Sequence, residues 1–261
     1  MVKILLHGCN GRMGRVVTRL VEESGTPEMK IVCGVDLNPG KFDNDYPVFA
    51  SLSEVPLDIK PDVVIDFSHP GSVESLLDFG LTRNTPLVIC TSGISGEQQQ
   101  KISAAAQEIP VLMSANMSVG INLVLSLVAQ AAQVLGSTFD IEIVEKHHNQ
   151  KVDAPSGTAM MIANAMNAAL GNDMEYIYGR HGEDESTKRK PNQIGIHAVR
   201  GGTIVGEHDT IFAGQGEIVE IKHTALSRDI FGYGALEAAK FLLDKTPGLY
   251  SMKDVIESKN S

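Results

Sequence analysis

Between Glu142 and Ala159 the chain reads Glu-Ile-Val-Glu-Lys-His-His-Asn-Gln-Lys-Val-Asp-Ala-Pro-Ser-Gly-Thr-Ala, 18 residues rich in groups that move protons or hold anions. His147 and His148 close an alternating run (Ile141, Ile143, Lys146) of strand type. Imidazole is the side chain whose ordinary pKa lies nearest neutrality, so a histidine here could hand over a proton at physiological pH. Lys151 follows in a short loop. Pro155 then stops any extension, and Ser156-Gly157-Thr158 opens an apolar helix expected to run to about Leu170. Proline suits a chain entering a helix and serine is a good cap. The unpaired N–H groups of such a helix start attract a carboxylate or phosphate. Singly, each part reads as a surface or core histidine, a solvated lysine or an ordinary cap. Together they describe a site for a small dianion with a proton donor beside it. A metal is not expected, because adjacent histidines on a strand point to opposite faces and neither a cysteine nor a nearby third histidine completes a set.

A second centre lies at the start of the chain. Residues 2–7 read as a buried strand, followed by Gly8-Cys9-Asn10-Gly11-Arg12-Met13-Gly14 and an amphipathic helix through Glu23. Strand, glycine loop and helix form a dinucleotide-binding pattern, spaced G-x-x-G-x-x-G instead of the commoner G-x-G-x-x-G. A tight turn without a ligand would share it. The next strand, Met29–Val35, ends at Asp36, 22 positions after Gly14, where the motif places its acceptor for the ribose hydroxyls. Further strands at 63–66, 87–90 and 111–114 alternate with helices, which predicts a parallel sheet wound on both sides. Ligands of such sheets sit beyond the carboxyl ends of the strands, so Ser68-His69, Thr91-Ser92-Gly93 and Asn116-Met117-Ser118 should line one crevice.

From Gly120 the pattern changes. A long apolar helix (122–135) leads to the strand at Ile141. The polar stretch 171–191, with Arg180-His181-Gly182 and Lys188-Arg189-Lys190, reads as a mobile loop. Strands follow at 194–199, 203–208, 210–213 and 217–225 in an open, mostly antiparallel or mixed sheet, of a kind that commonly pairs between subunits. A last helix, 230–243, returns to the first domain. The expected organisation is α/β: a doubly wound dinucleotide-binding domain (1–118 plus 229–261) and an α+β domain (119–228) for substrate and oligomerisation.

The totals set outer bounds. The 261 residues, 43% hydrophobic and without Trp, allow two small domains with aliphatic cores. Three cysteines (Cys9, Cys33, Cys90) lack metal spacing and fit a reducing cytosol. Neither a membrane span nor a leader is read. A net charge of −10 argues against nucleic acid as partner and requires local positive groups for an anionic substrate.

The string Glu-Lys-His-His-Asn-Gln-Lys-Val-Asp-Ala-Pro-Ser-Gly-Thr-Ala resembles the signature of the dihydrodipicolinate (4-hydroxy-tetrahydrodipicolinate) reductase family of lysine and diaminopimelate biosynthesis, and the likeness extends from Gly8 to Arg228 and the final helix. The resemblance implies a cytoplasmic homotetramer that reduces a cyclic imine dicarboxylate with NADH or NADPH. It implies His147 as proton donor, Lys151 as second acid, and His148, Ser156, Gly157 and Thr158 as carboxylate binders. It further implies cofactor contacts at Gly8, Asn10, Gly11, Arg12, Met13, Asp36, Cys90, Thr91, Ser92, Ala115, Asn116, Met117, Ser118 and Arg228. The family often has glycine where Cys90 stands. Two rivals are an amino-acid or homoserine dehydrogenase of similar plan, which would not need this constellation, and a non-catalytic dinucleotide sensor. Asp36 repels a 2′-phosphate, and the following residue is Leu37 where many members have arginine. NADH should therefore be modestly favoured, with Arg12 and Lys41 as the cations that could still serve NADPH.

Overall fold

The computed structural model describes residues 1–23 and 28–259, so Asn260 and Ser261 of the expected C-terminal return lie outside the described residues. In chain order the elements are β1 (Val2–His7), α1 (Arg12–Glu23), β2 (Met29–Val35), β3 (Val48–Phe49), β4 (Val63–Asp66), α2 (Val73–Arg83), β5 (Leu87–Ile89), α3 (Gly96–Ala105), β6 (Pro110–Met113) and α4 (Val119–Leu135). There follow β7 (Asp140–His147), α5 (Gly157–Ala169), β8 (Glu175–Tyr178), β9 (Gln193–Arg200), β10 (Gly206–Ala213), β11 (Ile218–Ala225), α6 (Asp229–Leu242), β12 (Gly248–Tyr250) and α7 (Met252–Ser258). They fall into two compact units, Met1–Val119 with Asp229–Ser261, and Gly120–Arg228.

The first unit holds a seven-stranded sheet in the order β12-β6-β5-β4-β1-β2-β3, parallel throughout. The chain moves outward from β1 to β3, then crosses back to β4 and proceeds the other way. The switch point therefore falls between β1 and β4. Strands buried on both faces need near-continuous apolar runs, as in Ile4-Leu5-Leu6 and Val63-Val64-Ile65. Ile4, Leu6, Val63, Ile65 and Val88 pack against Val17 and Leu20 of α1 and Ala235, Ala238 and Ala239 of α6. Leu5, Val64, Leu87, Ile89 and Val111 face the other way, toward Leu76 and Leu77 of α2 and Ile102 of α3. Each fully buried aliphatic side chain stabilises the fold by about 1.5–3 kcal/mol before chain entropy is counted.

The second unit is a mixed sheet in the order β11-β10-β7-β9-β8. The β11–β10 and β10–β7 pairs are antiparallel, whereas β7–β9 and β9–β8 are parallel. Ile141, Ile143, Ile194, Ile196 and Phe212 meet Val128 and Ala132 of α4 and Ile162, Ala163 and Met166 of α5. Burial alternates along β7, so Glu145 and His147 continue the buried face that Ile141 and Ile143 begin.

Three expectations change. The stretch 171–191 contains β8, paired with β9, because Glu175-Tyr-Ile-Tyr178 is a run of strand-forming residues hidden among glycines and charges. Arg180 and Arg189 from this stretch reach Glu142 on β7. The strands read at 203–208 and 210–213 are one strand, β10: Asp209 stays in the ladder, paired with Val144 and Lys222. His148 lies one residue past β7. The short elements β3, β12 and α7 add to the expected set.

The return of α6 to the first sheet depends on a small residue. A Cβ on Gly234 would stand 1.7 Å from the carbonyl oxygen of Met117, whereas one on Gly40 would meet nothing within 4 Å. Gly234→Ala should cost about 3 kcal/mol or more and lower Tm by about 6 °C or more, while Gly40→Ala should stay within about 0.5 kcal/mol of the parent. Thermal melts of both variants decide it, and equal Tm values would contradict this packing.

Candidate active site

The groups at the end of β7 are organised by a carboxylate. Glu145 is 0% exposed. Its Oε2 lies 2.6 Å from His147 Nδ1 and accepts from Arg200 NH1 at 2.7 Å. Its Oε1 accepts from Arg200 NH2 at 2.7 Å and from the Ser156 N–H at 3.0 Å. Arg200, the last residue of β9, also donates to the Asp153 carbonyl at 2.7 Å. Burial pushes the Glu145 carboxyl up, but Arg200, His147 and the Ser156 N–H together hold it below its usual range. His147 is pulled below its ordinary value, with burial the largest cause and Glu145 opposing it.

His208 of β10 stands opposite Glu145 in register. Its Nε2 is 2.8 Å from Ser156 Oγ, and its ring meets that of His147 edge-on with centroids 5.2 Å apart. Burial, then His147, push His208 down to about 4, so it is neutral near pH 7.

Ser156 caps α5, its Oγ accepting from the Ala159 N–H at 3.1 Å. Its N–H and hydroxyl are thus both engaged inside the unit, the N–H with Glu145 and the hydroxyl with His208 and the Ala159 N–H. Gly157 is exposed with open space at its Cα, and Thr158 is half-buried beside it. His148 is half-buried. The Lys151 ammonium is 2.8 Å from Asp153 Oδ1. The Asp153 carboxyl is held low by Lys151 first and, less strongly, by the Gly157 N–H. A carboxylate of the chain itself thus already stands between the lysine and the helix start.

In the first unit the glycine loop is closed by contacts that allow no side chain. Gly8 has φ +79°, and a Cβ on Gly14 would stand 2.2 Å from the Gly8 carbonyl oxygen. Asn10 is buried, donating to the Asn38 carbonyl at 2.7 Å and accepting from Asn44 at 3.0 Å, so its side chain secures the loop after β2. Asp36 accepts from the Asn10 and Asn38 N–H groups, each at 3.0 Å, which orients the carboxylate and leaves further lone pairs. A cavity of about 810 Å³ opens here, lined by Gly8, Gly11, Asp36, Leu37, Ser68 and His69 among others. Arg12 is exposed and Met13 half-buried at the start of α1.

At the switch point Asp66 accepts from Thr91 Oγ1 at 2.7 Å, and Asp66 Oδ1 lies 3.0 Å from His7 Nδ1. Cys90 turns into the core and its thiol is pushed well above its usual value by burial, so only its backbone faces the strand ends. Ser92 and Ala115 are exposed, Asn116 accepts from the Ser118 N–H at 2.9 Å, and Met117 is core. Arg228 is exposed at the end of the second unit.

Glu145, Arg200, His208, Asp153 and Asp66 join these groups without a role expected from the sequence. Glu145 had a local signal, standing two residues before His147 on the same strand face. The other groups reach their partners through strand pairing or loop closure.

The cradle and the oriented acid fit a dinucleotide, and a buried histidine beside a seat for a carboxylate fits proton transfer to an anionic substrate. These features fit the class of dinucleotide-dependent oxidoreductases. Comparison with known proteins narrows the class. Residues 2–117 match the family model described as dihydrodipicolinate reductase, N-terminus, and residues 120–256 match that of dihydrodipicolinate reductase, C-terminus. Over 257 residues the chain is 54% identical to the 4-hydroxy-tetrahydrodipicolinate reductase of Caldanaerobacter subterraneus subsp. tengcongensis, covering 98% of this chain and 99% of that protein. It is 47% identical over 263 residues to the protein of the same name from Clostridium novyi, covering 100% of both. A solved dipicolinate-bound dihydrodipicolinate reductase from Paenisporosarcina sp. TG-14 matches with TM-score 0.81 at 27% identity, covering 97% of this chain and 99% of that one. The chain belongs to the dihydrodipicolinate reductase family, oxidoreductases of lysine biosynthesis.

The buried histidines set a pH dependence of stability. His208 titrates at about 4 when folded and near 6.5 when unfolded, so between these values the unfolded chain binds more protons. Stability is therefore lost as pH falls through this window, by up to about 3 kcal/mol from His208 alone. His147 and His223, also pushed down, act in the same sense. Glu145, held low, adds its loss only below its ordinary carboxylate range. Urea melts across about pH 4–7.5 should show a shallower slope in His208→Gln than in the parent. Identical slopes would contradict the buried neutral state.

Proposed function

We propose that this chain reduces 4-hydroxy-tetrahydrodipicolinate to tetrahydrodipicolinate, with residues 1–118 and 229–261 binding the nicotinamide cofactor and 119–228 binding the substrate. The observation that carries the reading is the carboxylate seat beside the buried histidine. Lys151 and the Gly157 N–H hold a carboxylate, that of Asp153, in the same segment as His147. A substrate carboxylate would exchange with Asp153 there, with Thr158 and His148 completing the seat. The dipicolinate bound to the Paenisporosarcina relative is a dicarboxylate of this shape class.

When bound, the nicotinamide supplies a hydride. Gly8, Gly11, Arg12, Met13 and Asp36 would hold its dinucleotide part, and Thr91, Ser92, Ala115, Asn116 and Ser118, beyond the ends of β5 and β6, its reactive end. His147 donates the proton to the anion that develops on the ring. A substrate dianion beside His147 favours the imidazolium and offsets the burial that pulls its pKa down. Lys151 stabilises the negative charge and serves as second acid. A dehydrogenase of other small substrates would have no use for this seat. The polar face of the second sheet, carrying Glu142, Lys146, His197 and Glu207, is the surface we assign to subunit pairing in a cytoplasmic homotetramer.

The test is oxidation of reduced nicotinamide with freshly made product of the upstream synthase as substrate. His147→Gln should lower kcat by about 100-fold or more while leaving cofactor affinity nearly intact. A variant that keeps over half the parent's rate would remove His147 from the mechanism.

The cofactor preference follows from the end of β2. Leu37 is 88% exposed next to Asp36, and Lys41 lies near the Phe42 ring, 5.3 Å from its centroid. Single exposed ion pairs contribute about 0–1 kcal/mol, less than tenfold, so both cofactors should work with NADH modestly favoured. Leu37→Arg should shift the kcat/KM ratio toward NADPH, most at low salt. An NADPH preference of the parent that persists in high salt would contradict this.

A further inference from the structure

Glu145 has no part in the proton and charge roles assigned above, yet it touches the residue that carries the first of them. We infer that Glu145 is the positioning residue of His147: its carboxylate accepts from Nδ1–H in both charge states of the ring, so the imidazolium gives its Nε2 proton to substrate and is left as the neutral Nδ1–H tautomer. This rests on His147 as proton donor.

The geometry is specific. The 2.6 Å separation of Nδ1 and Oε2 is that of a short, charge-assisted hydrogen bond. Glu145 and His147 sit two residues apart on one strand face, both buried, so the strand's own period aims one at the other. Arg200 grips the carboxylate with both arms at 2.7 Å, which keeps it ionised and therefore an acceptor only. The Ser156 N–H fixes the other oxygen, so the carboxylate is held from three directions. On the far side of the ring, β10 presents Gly206, where a Cβ would stand 3.2 Å from Nε2. A side chain there would crowd the nitrogen that the proposal leaves for substrate.

The remaining titratable groups around His147 explain why a carboxylate is needed. Lys151 of the loop and Arg200 of β9 are cations that disfavour an imidazolium. His208 of β10 is a buried neutral ring, and His223 of β11, opposite it in register, is also pushed down by burial. Glu145 opposes all of these, so its charge keeps the donor form of His147 accessible.

Glu145→Gln in the full-length enzyme tests this, with Glu145→Asp as a shorter carboxylate and Arg200→Lys as a second route should the glutamine variant not fold. In Glu145→Gln, kcat should fall about 10- to 100-fold while KM for the dicarboxylate changes less than about threefold. Nitrogen-15 NMR of the His147 ring, assigned against His147→Gln, should show Nδ1–H in the parent and loss of that preference in Glu145→Gln. The His147 titration midpoint and the alkaline limb of kcat should both move to lower pH, with Glu145→Asp and Arg200→Lys intermediate. An unchanged tautomer and midpoint in these variants overturns the positioning role whatever the rates. Full activity in His147→Gln instead fails the donor reading alone, because the NMR result still reports the coupling.

Discussion

An ionised carboxylate with no exposed surface survives in a protein only when its partners replace the water it has lost, and a buried charge deprived of one partner is strongly destabilising. Glu145 meets that condition with an arginine fork, an imidazole and a backbone N–H. The requirement shapes its surroundings. It fixes where β9 must end, because Arg200 has to reach β7. It draws the 148–156 loop inward, because Arg200 also binds the Asp153 carbonyl and Ser156 must offer its N–H. It also aims His147, whose Nδ1 has the carboxylate as neighbour. His147, the lysine loop and the capped helix start are thus tied to one buried charge.

The first unit solves a different problem, folding a tight loop between β1 and α1. Gly8 and Gly14 permit a packing of backbone on backbone that any Cβ would block, Gly8 against the Phe67 carbonyl and Gly14 against the Gly8 carbonyl, and the Asn10 and Asn38 N–H groups orient Asp36. The parallel sheet supplies the position for this, since its switch point falls between β1 and β4 at the loop's base.

Features with a local signature were legible in the sequence. The apolar runs of the parallel strands, the glycine loop with its terminal acid, and the His-His to Ser-Gly-Thr string all stand within short windows. Where the signal needed a distant partner, the reading stopped short. Nothing near Arg200 in the chain points to Glu145, 55 positions away, and His208 shows its proximity to Ser156 only once β10 is laid against β7. A helix cap and an anion site share residue types, so Ser156 has the same look in the sequence for either role. Strand β8 was lost among charges, and β10 was split at Asp209, whose side chain faces away from the buried side of the sheet while its backbone keeps the ladder whole.

On the proposed reading, the segment from His147 to Thr158 is a seat for a planar dianion, in which a ligand carboxylate displaces that of Asp153 from Lys151 and the start of α5. Calorimetric titration of the enzyme, with reduced cofactor present, by 2,6-pyridinedicarboxylate and by its monocarboxylate analogue tests it most directly. The dicarboxylate should bind at least about tenfold more tightly, a difference of about 1.4 kcal/mol, and Thr158→Ala and Lys151→Ala should each reduce this advantage. Equal affinity for the two ligands, or a dicarboxylate affinity indifferent to both substitutions, would contradict it.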